Sequence, residues 1–303
     1  MTVRTYSSPG AFKQALEQRL RGSAGHAGGL ARQRQLLVFD RFLARVVAVV
    51  GEAVILKGGL ALEFRLERAR TTRDIDLRMV GSPDEVLARL QEAGRRDLGE
   101  YMTFEVVPDQ HHPTIQNDGM QYEGYRFRAE CRLAGKLYGQ PFGVDVAFGD
   151  PILGVPELVV ADDVLAFAGI APPDLRLYPI ESHIAEKLHA ITMPRLRPNT
   201  RVKDLPDIAL LATVRTVEAS RLRAAFEQTF RFRNTHPLPE RIDDPSDRWI
   251  TPYLAMARND ELEWTTLEEV TSAVRRFLDP VLAGGLDASW DPVGKRWQAP
   301  GPG

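Results

Sequence analysis

The segment Lys57-Gly58-Gly59 follows a short apolar run and is succeeded by Arg73-Asp74-Ile75-Asp76. Glycines after a buried strand let the backbone approach a ligand closely, and a helix that starts there favours a phosphate. Asp74 and Asp76 stand two apart on an alternating segment, so both carboxylates project from one face. Two like charges at that spacing repel unless a cation sits between them. Mg2+ is the natural candidate, because hard cations take carboxylate oxygens and also bind phosphate. Asp145, flanked by Val144 and Val146, is the candidate third acid, costly in an apolar strand unless paired or ligating. An Asp-x-Asp pair alone is common at sheet edges and in turns. Three carboxylates from two neighbouring strands beside a glycine turn make a candidate metal–nucleotide site.

A second constellation is helical. Ile180, Ile184, Leu188 and Ile191 share one stripe at about 100° per residue, and Lys187 falls in its middle. Such a lysine either snorkels past the core or aims its ammonium at a phosphate or a carboxylate. His183 and His189 lie off the stripe and read as structural or solvated residues rather than ligands. In Arg201-Val202-Lys203-Asp204-Leu205-Pro206-Asp207, Asp204 is placed to cap a helix and Asp207 to complement its dipole. Both also share the face of Ile208 and Leu211, from which they can position Lys187, Arg201 or a substrate group. Capping and function stand level. Thr71 and Thr72 precede the aspartate pair, as loop hydrogen-bonders, nucleotide contacts or a modification point where a phosphate would repel the nucleotide.

These residues need elements to hold them. Leu36, Leu37, Phe39, Phe42, Leu43, Val46, Val47 and Val50 predict a helix ending at Gly51. Ala53–Leu56 predicts a buried strand, Leu60–Leu66 a helix, Asp74–Leu77 a strand, and Ser82-Pro83 a helix start. Strands follow at Thr103–Val107, Tyr125–Leu133 and Gly143–Phe148, with a long loop or hairpin from Pro108 to Gly124. Arg126, Arg128 and Arg132 share the polar face of one strand, either as an RNA-backbone contact or as a solvated sheet face. Prolines break the pattern at 151–156 and again at 172–173, and helical periodicity dominates from Ile180. The expected organisation is an α/β half over residues 1–165, a helical domain over 166–283 and a flexible tail over 284–303.

The chain has 303 residues, 44% hydrophobic and 26% charged, with 39 basic against 41 acidic residues and a net charge of −2. That is globular usage, with no global basic footprint for nucleic acid. One cysteine, Cys131, excludes an intramolecular disulfide and a cysteine-based zinc site. The N-terminus lacks a signal-peptide core, and no apolar run is long enough for a membrane, so the expectation is a cytoplasmic protein without a membrane partner.

At Lys57–Leu62, Arg70–Leu77, Ala185–Ala190 and Arg201–Ile208 the chain resembles the AbiEii/AbiGii (MenT-like) toxins, nucleotidyltransferases of type IV toxin–antitoxin and abortive-infection systems. Four motifs occur in order over about residues 50 to 215. The resemblance implies an α/β (α+β) fold, with a DNA-polymerase-β-like nucleotidyltransferase domain followed by a mainly helical one. It implies transfer of a nucleoside monophosphate from an NTP with Mg2+ to an RNA acceptor, the tRNA 3′ end, which would block translation, and an AbiEi-like antitoxin as partner. By position, Gly58 and Gly59 match the phosphate-facing turn, with Lys57, Thr72 and Arg73 beside it. Asp74 and Asp76 match the metal pair, Asp145 the third acid, Lys187 the active-site lysine, and Asp204 or Asp207 the distal aspartate. The turn is Gly-Gly where the wider superfamily has Gly-Ser, so a serine contact to the triphosphate is missing. Thr72 stands about where some members carry a phosphorylatable serine. Two other readings stay open: transfer to a protein side chain or small molecule, and a non-catalytic domain that binds nucleotide or antitoxin.

Overall fold

The computed structural model describes residues 6–23, 29–66, 72–115, 124–149, 151–195 and 198–299. Helices α1 (Pro9–Ser23) and α2 (Gly29–Val50) lead into strand β1 (Val54–Lys57), helix α3 (Gly58–Glu63), strand β2 (Asp74–Met79) and helix α4 (Val86–Arg95). Then come β3 (Met102–Pro108), β4 (Gly124–Leu133), β5 (Lys136–Leu137), β6 (Phe142–Ala147), β7 (Glu157–Val160) and β8 (Asp174–Leu177). The helical half holds α5 (Ile180–Thr192), α6 (Asp204–Leu211), β9 (Val217–Glu218), α7 (Ala219–Arg233), α8 (Ile250–Asn259) and α9 (Leu267–Leu282), and closes with β10 (Ser289–Asp291) and β11 (Arg296–Gln298).

The main sheet runs β3-β4-β6-β2-β1-β8-β7, with β5 paired to β4. It is mixed: β2–β6 and β1–β8 are parallel, and the other pairs are antiparallel. The alternation read in β4 faces Phe127, Ala129, Cys131 and Leu133 inward, onto a core shared with α2 and α4. Helix α2 carries the expected apolar stripe and also two buried arginines. Arg45 pairs with Glu100 and donates to the Met102 carbonyl at 2.7 Å, while Arg41 Nε reaches Glu100 at 3.1 Å. Sequence patterning did not announce this cluster, because its acid lies far along the chain.

Two elements correct the sequence reading. The prolines at 156 and 172–173 flank strands rather than replace them: β7 and β8 extend the sheet to Leu177, past residue 165. Apart from Leu62 of α3, which belongs to the second core, the two apolar cores part after that point, one ending at Leu177 and the other resuming at Ile180. We therefore propose the domain division near Tyr178. Second, the tail expected to be flexible from residue 284 forms the β10–β11 hairpin and pairs with β9. Its composition is rich in Gly and Pro, but its tryptophans bury enough surface to order it. Trp290 is 3% exposed, stacks edge-on to Phe277 at 4.8 Å, and donates its indole N–H to the Ala212 carbonyl. Residues 300–303 lie outside the described ones.

The halves are tied by α3, whose Leu62 packs in the helical core, and by Glu157, which pairs with Arg65 at 2.7 Å and Arg215 at 3.0 Å. Among the described residues no helix is long and apolar enough to cross a membrane. Trp290→Ala should cost about 3–5 kcal/mol of stability, the usual scale for emptying a large aromatic site. Urea unfolding measures it, and a loss below about 1 kcal/mol would return the hairpin to the status of a loose tail.

Candidate active site

Strand register does the first assembly. Lys57 lies opposite Asp76 across β1–β2, Asp76 opposite Asp145 across β2–β6, and Asp145 opposite Arg126 across β6–β4. Opposed residues share a sheet face, so four strands present one row of charges: plus, minus, minus, plus. Asp74 stands two residues before Asp76 on the same face, opposite Gly143. Its Oδ1 accepts from the Gly143 N–H at 3.2 Å, and a Cβ on Gly143 would lie 2.6 Å from that oxygen. Burial, with Asp145 as the next cause, raises the Asp76 carboxyl above its ordinary pKa.

The glycine turn fits against the row. Gly58 has φ +65° and opens α3, and a Cβ there would lie 1.8 Å from Asp76 Oδ2. Only glycine leaves room for that carboxylate and adopts this backbone without strain. Lys57 is held from the other side. Its ammonium pairs with Glu186 Oε1 at 2.8 Å and lies 4.6 Å from the Tyr178 ring centre, and Tyr178 donates its hydroxyl to the same oxygen. Arg126 chelates Asp145 with two bonds of 2.7 Å, Nε to Oδ1 and Nη2 to Oδ2. The bond to Asp145 raises the arginine's pKa.

Helix α5 forms the facing wall. Lys187 directs its ammonium to Asp207 Oδ2 at 2.6 Å and Asp204 Oδ1 at 3.1 Å, both on α6. Of the two options left by its place in an apolar stripe, it reaches carboxylates rather than snorkelling. Asp204 corrects a reading: Lys203 takes the N-cap position of α6 without a side-chain cap bond, and Asp204 points to the lysine instead. A charge-assisted contact with a buried ammonium outweighs a cap bond that water can replace. His183, one turn before Lys187, is 2% exposed, and among the described residues neither ring nitrogen has a hydrogen-bond partner. Burial, then the Lys187 charge, lowers its pKa well below 6.5. His189 is buried against Phe230 with Nε2 2.8 Å from Thr235 Oγ1, a structural rather than solvated residue.

Between row and wall lies a cleft of about 210 Å³. It gathers Lys57, Gly58, Gly59, Asp76, Asp145, Lys187 and Asp204. Asp74, Thr72 and Arg73 stand at the start of β2 and do not line it; Asp74 and Arg73 are exposed, and Thr72 donates to the Asp74 carbonyl at 3.2 Å. Asp207 is fully buried behind Lys187. Thr71 lies outside the described residues. Sequence reasoning passed over Glu186, Arg195, Lys203 and Arg233, which also line the cleft. Glu186 and Lys203 sat inside quoted motifs, whereas Arg195 and Arg233 carried no local signal. Lining cations outnumber carboxylates, which suits a polyanionic ligand. Of the three arginines read on β4, Arg126 is committed to Asp145 and Arg132 pairs with Glu130, leaving Arg128 exposed toward solvent.

A family model described as nucleotidyl transferase AbiEii toxin, type IV TA system, matches residues 41–291. Among solved structures, the MenT4 nucleotidyltransferase toxin of Mycobacterium tuberculosis H37Rv aligns over 93% of this chain and 92% of its own, at 17% identity and a TM-score of 0.58. JHP933 of Helicobacter pylori aligns over 82% of this chain and 93% of its own, at 14% identity and a TM-score of 0.43. Among curated proteins none matches the chain in sequence.

Two outcomes follow from the buried charges. Lys187→Met strands Asp204 and Asp207 without their cation and should cost about 3–5 kcal/mol. Adding Asp207→Asn should restore part of that loss in thermal melts, and an unchanged melting temperature in the single variant would refute the ion-pair account. For His183, the folded pKa is depressed, so below its ordinary 6.5 the unfolded chain binds the extra proton. Its share of stability is therefore complete above 6.5 and falls as pH drops, by about 1.4 kcal/mol per pH unit. His183→Phe should flatten the acid limb of urea midpoint against pH, and an unaltered slope would contradict it.

Proposed function

Since the chain belongs to the AbiEii family of nucleotidyltransferase toxins of type IV toxin–antitoxin systems, we propose that it transfers a nucleoside monophosphate from an NTP to the 3′ end of a tRNA, in the cytoplasm, under the control of a cognate antitoxin. The observation that carries this reading is the row of Asp76 and Asp145 in register beside the Gly58 turn, facing Lys187 across a cation-rich cleft.

The donor set fits a divalent cation. Asp76 and Asp145 are neighbouring oxygen donors whose mutual repulsion a hard cation relieves, with Asp74 two residues away on the same face. Among the described residues, no three such side chains converge as a ligand set, because Asp145 is drawn to Arg126 and Asp74 to the Gly143 amide. Asp74, Asp76 and Asp145 would hold Mg2+, which when bound supplies charge neutralisation for the transferring phosphoryl group. Gly58 and Gly59 let the backbone approach the triphosphate. Lys57 and Lys187, each fixed by carboxylates, stand by for the negative charge that builds there. Asp145 takes the proton of the attacking terminal hydroxyl. A bond forms from that oxygen to the α-phosphorus, the α–β bridging bond breaks, and pyrophosphate leaves. Asp204 and Asp207 position Lys187.

The test is incubation of the protein with each labelled NTP and total RNA, with labelled RNA and labelled protein separated on gels. Label should enter the tRNA fraction. Label in protein alone would replace the acceptor, and no label anywhere would overturn the enzymatic reading. Asp76→Asn should lower transfer at least about a hundredfold, the scale of losing one strong transition-state contact. It should melt no lower than the unaltered chain, because one of two adjacent like charges is gone. Turnover at the unaltered rate in Mg2+ would remove Asp76 from the metal site.

A further inference from the structure

Resting on the reading of Asp74, Asp76 and Asp145 as the metal carboxylates, we infer that Arg126 is a positioning residue that clamps Asp145 and makes cation entry conditional on release of the clamp. Three observations carry this. The guanidinium meets both Asp145 oxygens at 2.7 Å, the two-point fork that is the strongest geometry open to an arginine and a carboxylate. The register makes it unavoidable, because Arg126 is the residue directly opposite Asp145 on β4. The acids stand adjacent across β2–β6, yet among the described residues no three side chains gather as a ligand set, and both Asp145 oxygens are turned to Arg126.

A cation and this fork compete for the same in-plane lone pairs. With Arg126 in place both Asp145 oxygens are already occupied, so a lone divalent ion must displace the guanidinium before it gains that carboxylate. The arginine's side chain is 37% exposed, so it has room to leave. A triphosphate offers it another fork-shaped anionic partner. Cation and nucleotide would then enter together, and the acids would be kept quiet until both are present.

The test reads Mn2+ binding by calorimetry on the full chain, with and without α,β-methylene analogues of the four NTPs. Arg126→Gln should bind Mn2+ alone about tenfold more tightly than the unaltered chain, a change of about 1.4 kcal/mol. Arg126→Lys keeps the charge without the fork and should show a gain in the same direction. Arg128→Gln removes a charge at the next position on the same face, opposite Gly143 rather than Asp145, and should change binding by less than threefold. Adding Asp145→Asn to Arg126→Gln should abolish the gain. An analogue should tighten Mn2+ binding more for the unaltered chain than for Arg126→Lys. Equal affinity of Arg126→Gln and the unaltered chain, or an equal gain from Arg128→Gln, would overturn the clamp while leaving the metal site standing. Absence of Mn2+ binding in every form, analogue present, would overturn the metal reading itself and the clamp with it.

Discussion

Two carboxylates placed side by side by strand register are the constraint on which this molecule depends. Asp76 and Asp145 belong to adjacent parallel strands and cannot move apart without breaking the sheet. Unit charges about 5 Å apart repel by about 3 kcal/mol at an effective dielectric of 20. The surroundings answer that cost in order: Lys57 on one flank, Arg126 on the other, then Glu186 and Tyr178 to hold Lys57. The glycine at 58 follows from the same constraint, because the space a side chain would need is taken by Asp76.

The helical half answers with a triad of its own. One ammonium, Lys187, serves two buried carboxylates, so the trio carries a net negative charge, and cleft-lining Arg201 stands 3.9 Å from Asp204. Removing the lysine exposes that imbalance at once, whereas removing a carboxylate brings the trio to neutrality. The site is thus built from two charge clusters, each nearly balanced, and the cleft between them takes its positive character from arginines and lysines of the wall.

What could be read in advance follows physical lines. The mixed α/β fold, the helix from Leu36 to Val50 and the strands carrying the aspartates were legible because their apolar periods are long or their flanking glycines sharp. Family membership was legible because four spaced motifs survive in order. Strands β7 and β8 were not, since each is only four residues long beside a proline, too short to show alternation. The terminal hairpin was hidden by its Gly and Pro content, although its two tryptophans were the signal. Asp145 and Arg126 were each singled out but not as partners, because register across two strands is a property of the folded sheet and not of local sequence. Lys187, Asp204 and Asp207 were named together from helix faces alone, which suffices when two helices pack face to face.

Helix α3 has a consequence for how such chains diversify. Its first residue abuts Asp76 in the sheet, and Leu62, four positions on, is packed in the core of the helical half. Glu157 reinforces the same connection through Arg65 and Arg215. A cut near Tyr178 therefore takes from each half contacts that it shares with the other. Recombination that exchanged the helical half between relatives would have to carry a matching Leu62 and Glu157 with it. Inheritance of this architecture is expected to proceed by drift across the whole chain rather than by shuffling of parts.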